Sequence, residues 1–191
     1  MMSDDIIHKI KYFESRHIRK ILGINKDQLL HWTLTRRLIK PAIEGVGRGG
    51  RSQFTFKNLF FLALIKELSI FGLDLRIIKE IIGLKQLYPP IKISDIGKKE
   101  CKTKDLDIYD YVKKYSEDKG FKDFVLNISH FGEFEKFKEA SGKWFWFIFP
   151  ADKYFSSSHS GEDYLEKSSL QIFLSQIIRE LEEKTGEKFF K

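Results

Sequence analysis

The side chains best suited to chemistry are four polar residues that recur at helical spacing. Separations of one, three and four positions place them along one side of a helix. They are Asp27, Gln28, His31 and Thr35. In the major groove of a duplex, glutamine can form two hydrogen bonds with adenine, aspartate can accept a hydrogen bond from cytosine, and histidine can donate one to guanine. The stripe therefore predicts base-edge recognition, and the alternative is a solvated helix face.

A second candidate site is a basic arm at residues 42–54, in which four glycines alternate with Arg48 and Arg51. Glycine lets the backbone approach a phosphate closely, and guanidinium groups can fork onto its oxygens. Residues 42–44 and 52–54 could pair as strands on either side. The glycine spacing also matches a dinucleotide-binding pattern, but no buried strand precedes it and no helix opens at its third glycine. We predict phosphate contact; a flexible surface loop is the alternative.

Further cations near these two sites are weaker candidates for DNA contact. Each of them either touches phosphate or only solubilises the chain: Arg16, Arg19, Lys26, Arg36, Arg37 and Lys57. Trp32 has two interpretations, in which its ring either presses on the sugar-phosphate backbone or fills the core beside the arm.

The charge of the chain is concentrated in its first part. Residues 1–85 hold 16 Lys+Arg against 8 Asp+Glu, whereas residues 86–191 hold 18 against 19, and the net charge is +7. A basic module joined to a neutral one indicates an anion-binding part, with nucleic acid as the first candidate.

Composition excludes several classes of protein. One cysteine among 191 residues cannot form an intramolecular disulfide or a cysteine-based zinc site, so we expect a cytoplasmic chain. The longest apolar runs, 59–65 and 144–149, are far shorter than the roughly 18 residues that a membrane helix needs. Two acids among the first five residues argue against an export signal.

Catalytic and metal-binding signals are weak. Cys101, His130 and His159 could form a sensor site, but a lone cysteine with scattered histidines is more often structural. The serine-rich run at 156–160 contains hydrolase residue types without the Gly-x-Ser-x-Gly elbow. We expect no enzyme activity, no metal and no cofactor.

Two short helices around a tight turn are predicted before the arm. Ser15 is the expected cap of the first, which ends at Gly23. Asn25 and Gln28 form a capping-box pattern for the second, predicted from Lys26 to about Arg37 with Leu30 and Leu34 buried. This order is typical of a helix-turn-helix.

Two more helices are predicted after the arm. Thr55 is the expected cap of an apolar helix that runs to about Phe71, and Asp74 caps another that runs to Ile82 with Leu75 and Ile78 inward. Proline at 89–90 then breaks the chain where the basic composition stops, so we place the domain boundary at about residue 86.

These elements together resemble the mercury-resistance regulator (MerR) family of winged helix-turn-helix transcription regulators. The likeness covers about residues 14–85, and it rests on the register of Leu38-Ile39-Lys40-Pro41, the arm, Phe54-Thr55-x-x-Asn58-Leu59 and Ile65-x-x-Leu68-x-x-x-Gly72-Leu73-x-Leu75-x-x-Ile78. The resemblance implies a homodimer on an inverted-repeat operator, with the second helix in the major groove and the wing on the flanking backbone.

Several positions depart from the family pattern. His31 stands where the family usually has Arg, Trp32 where it has Tyr, and Thr33 where it often has a second Tyr. Phe54 replaces the wing Tyr, and Arg51 lies next to the position of the wing Arg. The family's long dimerisation helix after residue 83 is not evident, because proline interrupts the chain there.

Residues 91–191 predict a mixed α/β body. Helices are expected around 106–116 and 133–140, and a strand at 143–150 with Trp144 and Trp146 on one face. Because both faces of that strand are apolar, we expect it to be a central strand or a dimer contact. A second strand at 168–174, a helix at 176–184 capped by Ser175 and a serine-rich loop at 155–163 complete the prediction. Trp144 and Trp146 could line an effector pocket, although core packing is the commoner use.

We therefore expect an α+β chain with a winged helix-turn-helix domain at residues 1–85 and a small mixed α/β domain at 86–191 that dimerises, binds an effector, or both. The expected partners are double-stranded DNA, a second copy and an unidentified small-molecule effector, and no membrane. Three alternatives stay open: an architectural or excisionase-like DNA protein, an enzyme that the first domain targets to nucleic acid, and an adaptor that grips an acidic protein.

Overall fold

Six helices and two small antiparallel sheets form the described part of the chain, so the expected mixed α+β class is confirmed. The computed structural model describes residues 12–45, 50–83, 106–119, 124–130, 144–150 and 169–189. The chain divides into two units, Met1–Leu59 and Phe60–Lys191. The predicted boundary near residue 86 lies outside the described residues and stays a prediction.

The elements follow one another in this order. The helices are α1 Ser15–Leu22, α2 Lys26–Leu30 continued by a π turn His31–Thr35, α3 Phe56–Ile70, α4 Leu75–Ile82, α5 Ile108–Lys119 and α6 Leu174–Thr185. The strands are β1 Phe13–Glu14, β2 Gln53–Phe54, β3 Phe124–His130, β4 Trp144–Pro150 and β5 Ser169–Phe173. None of the described helices is long and apolar enough to cross a membrane.

Local capping residues set the first helices. Gly23 ends α1 at φ 65°, and the Ile24 amide donates to the Arg19 carbonyl at 3.2 Å, which closes a Schellman motif. The Asn25 side chain accepts from the Gln28 amide at 2.8 Å while Gln28 accepts from the Asn25 amide at 3.0 Å. The predicted capping box is confirmed. The expectation for Ser15 is wrong, because Ser15 is the first helical residue and its neighbour Glu14 occupies the N-cap position, where its side chain makes no capping hydrogen bond.

The second helix, residues 26–35, widens at its end instead of running to Arg37. Thr33 donates its hydroxyl to the Leu29 carbonyl at 2.8 Å, and the Arg36 amide donates to His31 five residues back at 2.8 Å. Hydroxyl bonds to the preceding turn compete with regular helix bonds. Arg37 then adopts φ 50°, and this left-handed residue ends the helix.

The buried side of the second helix also differs from the expectation. Leu29 and Trp32 are buried, whereas Leu30 and Leu34, which were expected inside, are exposed. Burial of an indole with one leucine removes more apolar surface from water than burial of two leucines. Trp32 therefore decides the orientation of the helix.

The basic arm is held in a small antiparallel sheet. Ile43 and Gln53 exchange backbone bonds of 3.1 and 2.9 Å, which confirms the pairing predicted for its two sides. The sequence analysis missed β1, whose Phe13 pairs with Phe54 on the other edge of β2. A Cβ at Gly45 would lie 2.5 Å from the Gly50 carbonyl oxygen, so only glycine allows this approach at the base of the arm.

The helices after the arm begin as predicted. Thr55 and Asn58 bond reciprocally at the start of α3, with Thr55 N–H donating to the Asn58 side chain at 3.0 Å. Gly72 at φ 78° ends the following turn, and Asp74 caps α4 by accepting from the Arg76 amide at 2.7 Å. Inside α4 the buried set includes Ile77, which the sequence analysis had not selected, while the expected Leu75 is only half-buried.

The larger sheet lies in the second unit and has the order β4-β3-β5, antiparallel throughout. Strands β4 and β5 and helices α5 and α6 confirm elements that the sequence predicted. Within the described residues β4 pairs with β3 alone and lies at the edge of the sheet. Of its two expected positions, the described sheet therefore does not give the central strand, and the dimer contact stays a prediction. The central strand is β3, which the sequence analysis missed.

Side-chain packing joins the sheet of the second unit to its helices. The buried Ser175 hydroxyl does not cap α6; it accepts from the Phe124 amide of β3 at 2.6 Å. Tyr109 of α5 stacks edge-on against Phe60 at 5.6 Å and against Phe189 at 5.0 Å. The predicted helix at 133–140 and loop at 155–163 lie outside the described residues.

Candidate nucleic-acid interface

The predicted DNA contacts that the structure describes all lie in the first unit. Exposed side chains are Arg16, Lys26, Asp27, Gln28, Thr35, Arg36, Arg37 and Arg51, and half-buried ones are Arg19, His31 and Lys57. Arg48 lies outside the described residues. The exposed set is mostly cationic and is carried by α1, the second helix and the base of the arm.

The side of the second helix that faces away from the buried Leu29 and Trp32 is formed by Asp27, Leu30, His31 and Leu34. Asp27, Leu30 and His31 share this side by the i, i+3 and i+4 spacing of an α-helix, and Leu34 follows in the π turn at 62% exposure. We call this side the outward face. Exposed cations stand at both of its ends, Lys26 before it and Arg36 and Arg37 after it. The middle of the outward face thus carries both polar side chains and leucines, and exposed cations stand at its two ends.

Two leucines on this face were missed as functional candidates. Leu30 is 37% exposed and Leu34 is 62% exposed, although both were assigned to the core from their spacing. A comparison of the apolar area on the two possible faces, with Trp32 given its full weight, would have indicated the correct side.

Gln28 has a structural task that limits its use in recognition. Its side-chain oxygen accepts from the Asn25 amide at 3.0 Å in the capping box. A bidentate pair of hydrogen bonds to adenine needs that same oxygen as an acceptor together with the amide nitrogen as a donor. Contact with adenine would therefore share the oxygen with the helix cap or break the cap.

Trp32 lies in the core of the first unit. It is 5% exposed, and the Leu38 amide donates to its carbonyl at 2.8 Å where the helix ends. This burial favours the core interpretation, in which the ring positions the second helix and the polypeptide that follows.

At the base of the arm, two arginines pair with Glu14, an acid that the sequence analysis did not select. In the Glu14 cluster, which consists of Glu14, Arg16 and Arg51, one Arg51 nitrogen lies 3.2 and 3.1 Å from the two carboxylate oxygens. The Arg16 Nε lies 3.1 Å from one of them. Arg16 and Arg51 are each 65% exposed and Glu14 is 27% exposed, so the guanidinium groups keep access to solvent.

The electrostatics of the cluster favour the ionised acid. Partial desolvation raises the pKa of Glu14, but the hydrogen bond and charge of Arg51, with the charges of Arg16 and His17, outweigh it and lower that pKa below its ordinary value. The cluster carries one net positive charge. A phosphate that approaches Arg51 would compete with Glu14 for the same donor.

For the remaining candidate residues, the structure describes the backbone alone or nothing. Trp144 and Trp146 lie in β4, whose backbone alone is described. Cys101 and His159 lie outside the described residues, and His130 ends β3. Across the part of the chain that the structure describes, no three His, Cys, Asp or Glu residues lie close enough to hold a metal ion.

Neither a family model nor a curated protein matches the chain.

Proposed function

We propose that the chain is a sequence-specific, DNA-binding transcription regulator of the MerR type, which binds an inverted-repeat operator as a homodimer. The observation that carries the proposal is the outward face of the second helix, exposed between Lys26 and the Arg36–Arg37 pair. A helix of this kind fits the major groove, which is about 12 Å wide.

The order of elements in the first unit supports this geometry. Helix α1, a tight turn at Gly23 and the second helix are followed by an antiparallel arm, as in a winged helix-turn-helix. In this arrangement the second helix meets base edges while the wing meets the flanking backbone. Asp27 and His31 are then the polar base contacts, and Gln28 serves chiefly as part of the helix cap.

The charges account for affinity more than for specificity. Each phosphate that a cation neutralises changes the slope of log affinity against log salt by about −0.9. The candidates for those contacts are Arg16, Arg36, Arg37 and Arg51, all exposed. In the proposed complex Arg51 exchanges one carboxylate oxygen of Glu14 for a phosphate oxygen.

The part of the chain that follows residue 85 is proposed to supply what a regulator needs beyond DNA contact. Residues 86–191 would dimerise the chain, bind an effector, or both. Within them, helices α5 and α6 and the antiparallel sheet include the buried residues Phe124, Leu126 and Ile178. Dimerisation by this part would replace the long helix that the MerR resemblance implies.

Selection of bound sites from random duplex DNA tests the function directly. The full chain should recover an inverted repeat, because two copies related by a two-fold axis present two identical second helices. Binding without sequence preference would contradict the proposal and support the architectural alternative. A chain that retains no duplex at low salt would contradict both.

A further inference from the structure

Leu30 and Leu34 are large apolar side chains that the fold leaves on the outward face. They are 37% and 62% exposed, on the same helix in which Leu29 and Trp32 are 3% and 5% exposed. An exposed leucine on the side of the helix opposite the core adds little to the stability of the first unit, because its apolar surface stays in water. The two side chains are therefore available to an external partner.

The surroundings of this apolar pair indicate the chemistry of that partner. Its exposed neighbours are three cations, Lys26 before it and Arg36 and Arg37 after it, against one acid, Asp27, and His31 lies beside it. An apolar pair bordered by cations complements an apolar group set within an anionic surface. The major groove of DNA is such a surface, because the 5-methyl groups of thymine project into it between two rows of phosphates.

We propose that Leu34, assisted by Leu30, contacts thymine 5-methyl groups and so selects T·A pairs at the positions that they face. This inference rests on the proposed DNA-binding function and names a determinant of its specificity. Side chains one turn apart on a helix lie about 5–6 Å from each other, and successive bases of one strand are about 3.4 Å apart along the axis. The pair therefore spans one to two base steps.

The test removes the methyl group from the DNA and leaves the protein unchanged. The probe is the tightest-binding duplex recovered by selection, remade with deoxyuridine in place of thymidine at one position at a time. At the positions that Leu34 and Leu30 face, the full chain should bind about fourfold more weakly for each methyl group lost, the factor expected for one buried apolar carbon. Other thymines should show no such effect.

A matched pair of variants assigns the effect to its residue. Leu34→Ala should bind the thymidine duplex more weakly and should abolish the deoxyuridine penalty at its own position. Ile70→Ala, which truncates an apolar side chain of similar exposure (65%) on α3, should keep the full penalty. Unchanged melting temperatures of both variants would show that neither substitution alters folding.

The outcomes separate this inference from the function on which it rests. Tight, sequence-specific binding that ignores every deoxyuridine substitution would overturn methyl recognition and leave the regulator proposal intact. A penalty that persists in Leu34→Ala would likewise overturn the assignment. Failure to retain any duplex would overturn both and leave an acidic protein surface as the partner of the face.

Discussion

The second helix and the basic arm are two cationic surfaces of the same unit, and they are held in place by different kinds of interaction. The second helix begins with a capping box whose partners are three residues apart. The arm depends on pairing with β1 and on an ion pair between Glu14 and Arg51, which are 37 residues apart. One surface is fixed locally and the other by contacts across the chain.

This difference matches the tasks proposed for the two surfaces. Base recognition needs side chains held in a defined register, and a capped helix with a buried Trp32 provides that. Phosphate contact tolerates an exchange of partners, and an exposed Arg51 that already bonds a carboxylate provides that. The second helix should therefore be rigid, and Arg51 of the arm should be able to exchange Glu14 for a phosphate.

The largest effect is expected from Trp32→Ala. Removal of a buried indole should lower the free energy of unfolding by about 3–5 kcal/mol, because the cavity adds to the lost burial. Leu34→Ala on the exposed side of the same helix should change it by no more than about 0.5 kcal/mol. Urea denaturation followed by tryptophan-independent circular dichroism measures both. Equal losses would contradict the assignment of the buried face.

The error about this face shows where sequence reasoning reached its limit. Leu30 and Leu34 have the same helical spacing as a buried pair, and spacing alone does not say which of two apolar sides turns inward. By contrast Asn25, Thr55 and Asp74 were placed correctly as helix caps, since their partners lie two or three residues away.

Strand pairing between residues that are distant in the chain was the other feature of the fold that the sequence did not predict. The two sides of the arm were predicted because a short glycine-rich connection joins them. The partnership of Phe13 with Phe54, and with it the Glu14 cluster, joins residues that two helices and the arm separate in the chain. The central strand β3 has the same difficulty, because its neighbours in the sheet are distant in the chain.

The next effect is on the salt dependence of DNA binding. Arg36→Gln and Arg51→Gln should each make the slope of log affinity against log salt shallower by about 0.9, because each removes one phosphate contact. Fluorescence anisotropy of the full chain on a labelled duplex, repeated across salt concentrations, measures the slopes. Thr35→Ala serves as a control that removes no charge. A slope that Arg51→Gln leaves unchanged would exclude the arm's base from the interface.

A smaller effect is expected from the cap of the second helix. Asn25→Ala should lower the free energy of unfolding by about 1 kcal/mol, since the Gln28 backbone amide at the helix start loses the Asn25 side-chain oxygen that accepts from it. Asn25→Ser should retain most of the stability, because serine caps a helix almost as well. If Asn25→Ala and Asn25→Ser were equally destabilising, the cap would not be what fixes the helix.

The smallest effect is the pH dependence that Glu14 confers on the arm. Its pKa is lower in the folded chain than its ordinary value of 4.5, so the stabilising pair is fully present above about pH 4.5. It should be lost as pH falls from there through the lower, folded-state pKa, when the carboxylate is protonated and Arg51 loses its acceptor. Glu14→Gln should remove this part of the acid dependence, as measured by thermal unfolding at successive pH values.

The same substitution tests the exchange proposed for the arm. With Glu14→Gln, Arg51 no longer has a competing carboxylate and the cluster gains a net positive charge, so DNA binding at neutral pH should tighten and its salt slope should steepen. The double variant Glu14→Gln with Arg51→Gln should lose that gain. Weaker DNA binding by Glu14→Gln alone would show instead that the ion pair orders the arm for phosphate contact, and the arm would then act as a preformed surface like the second helix.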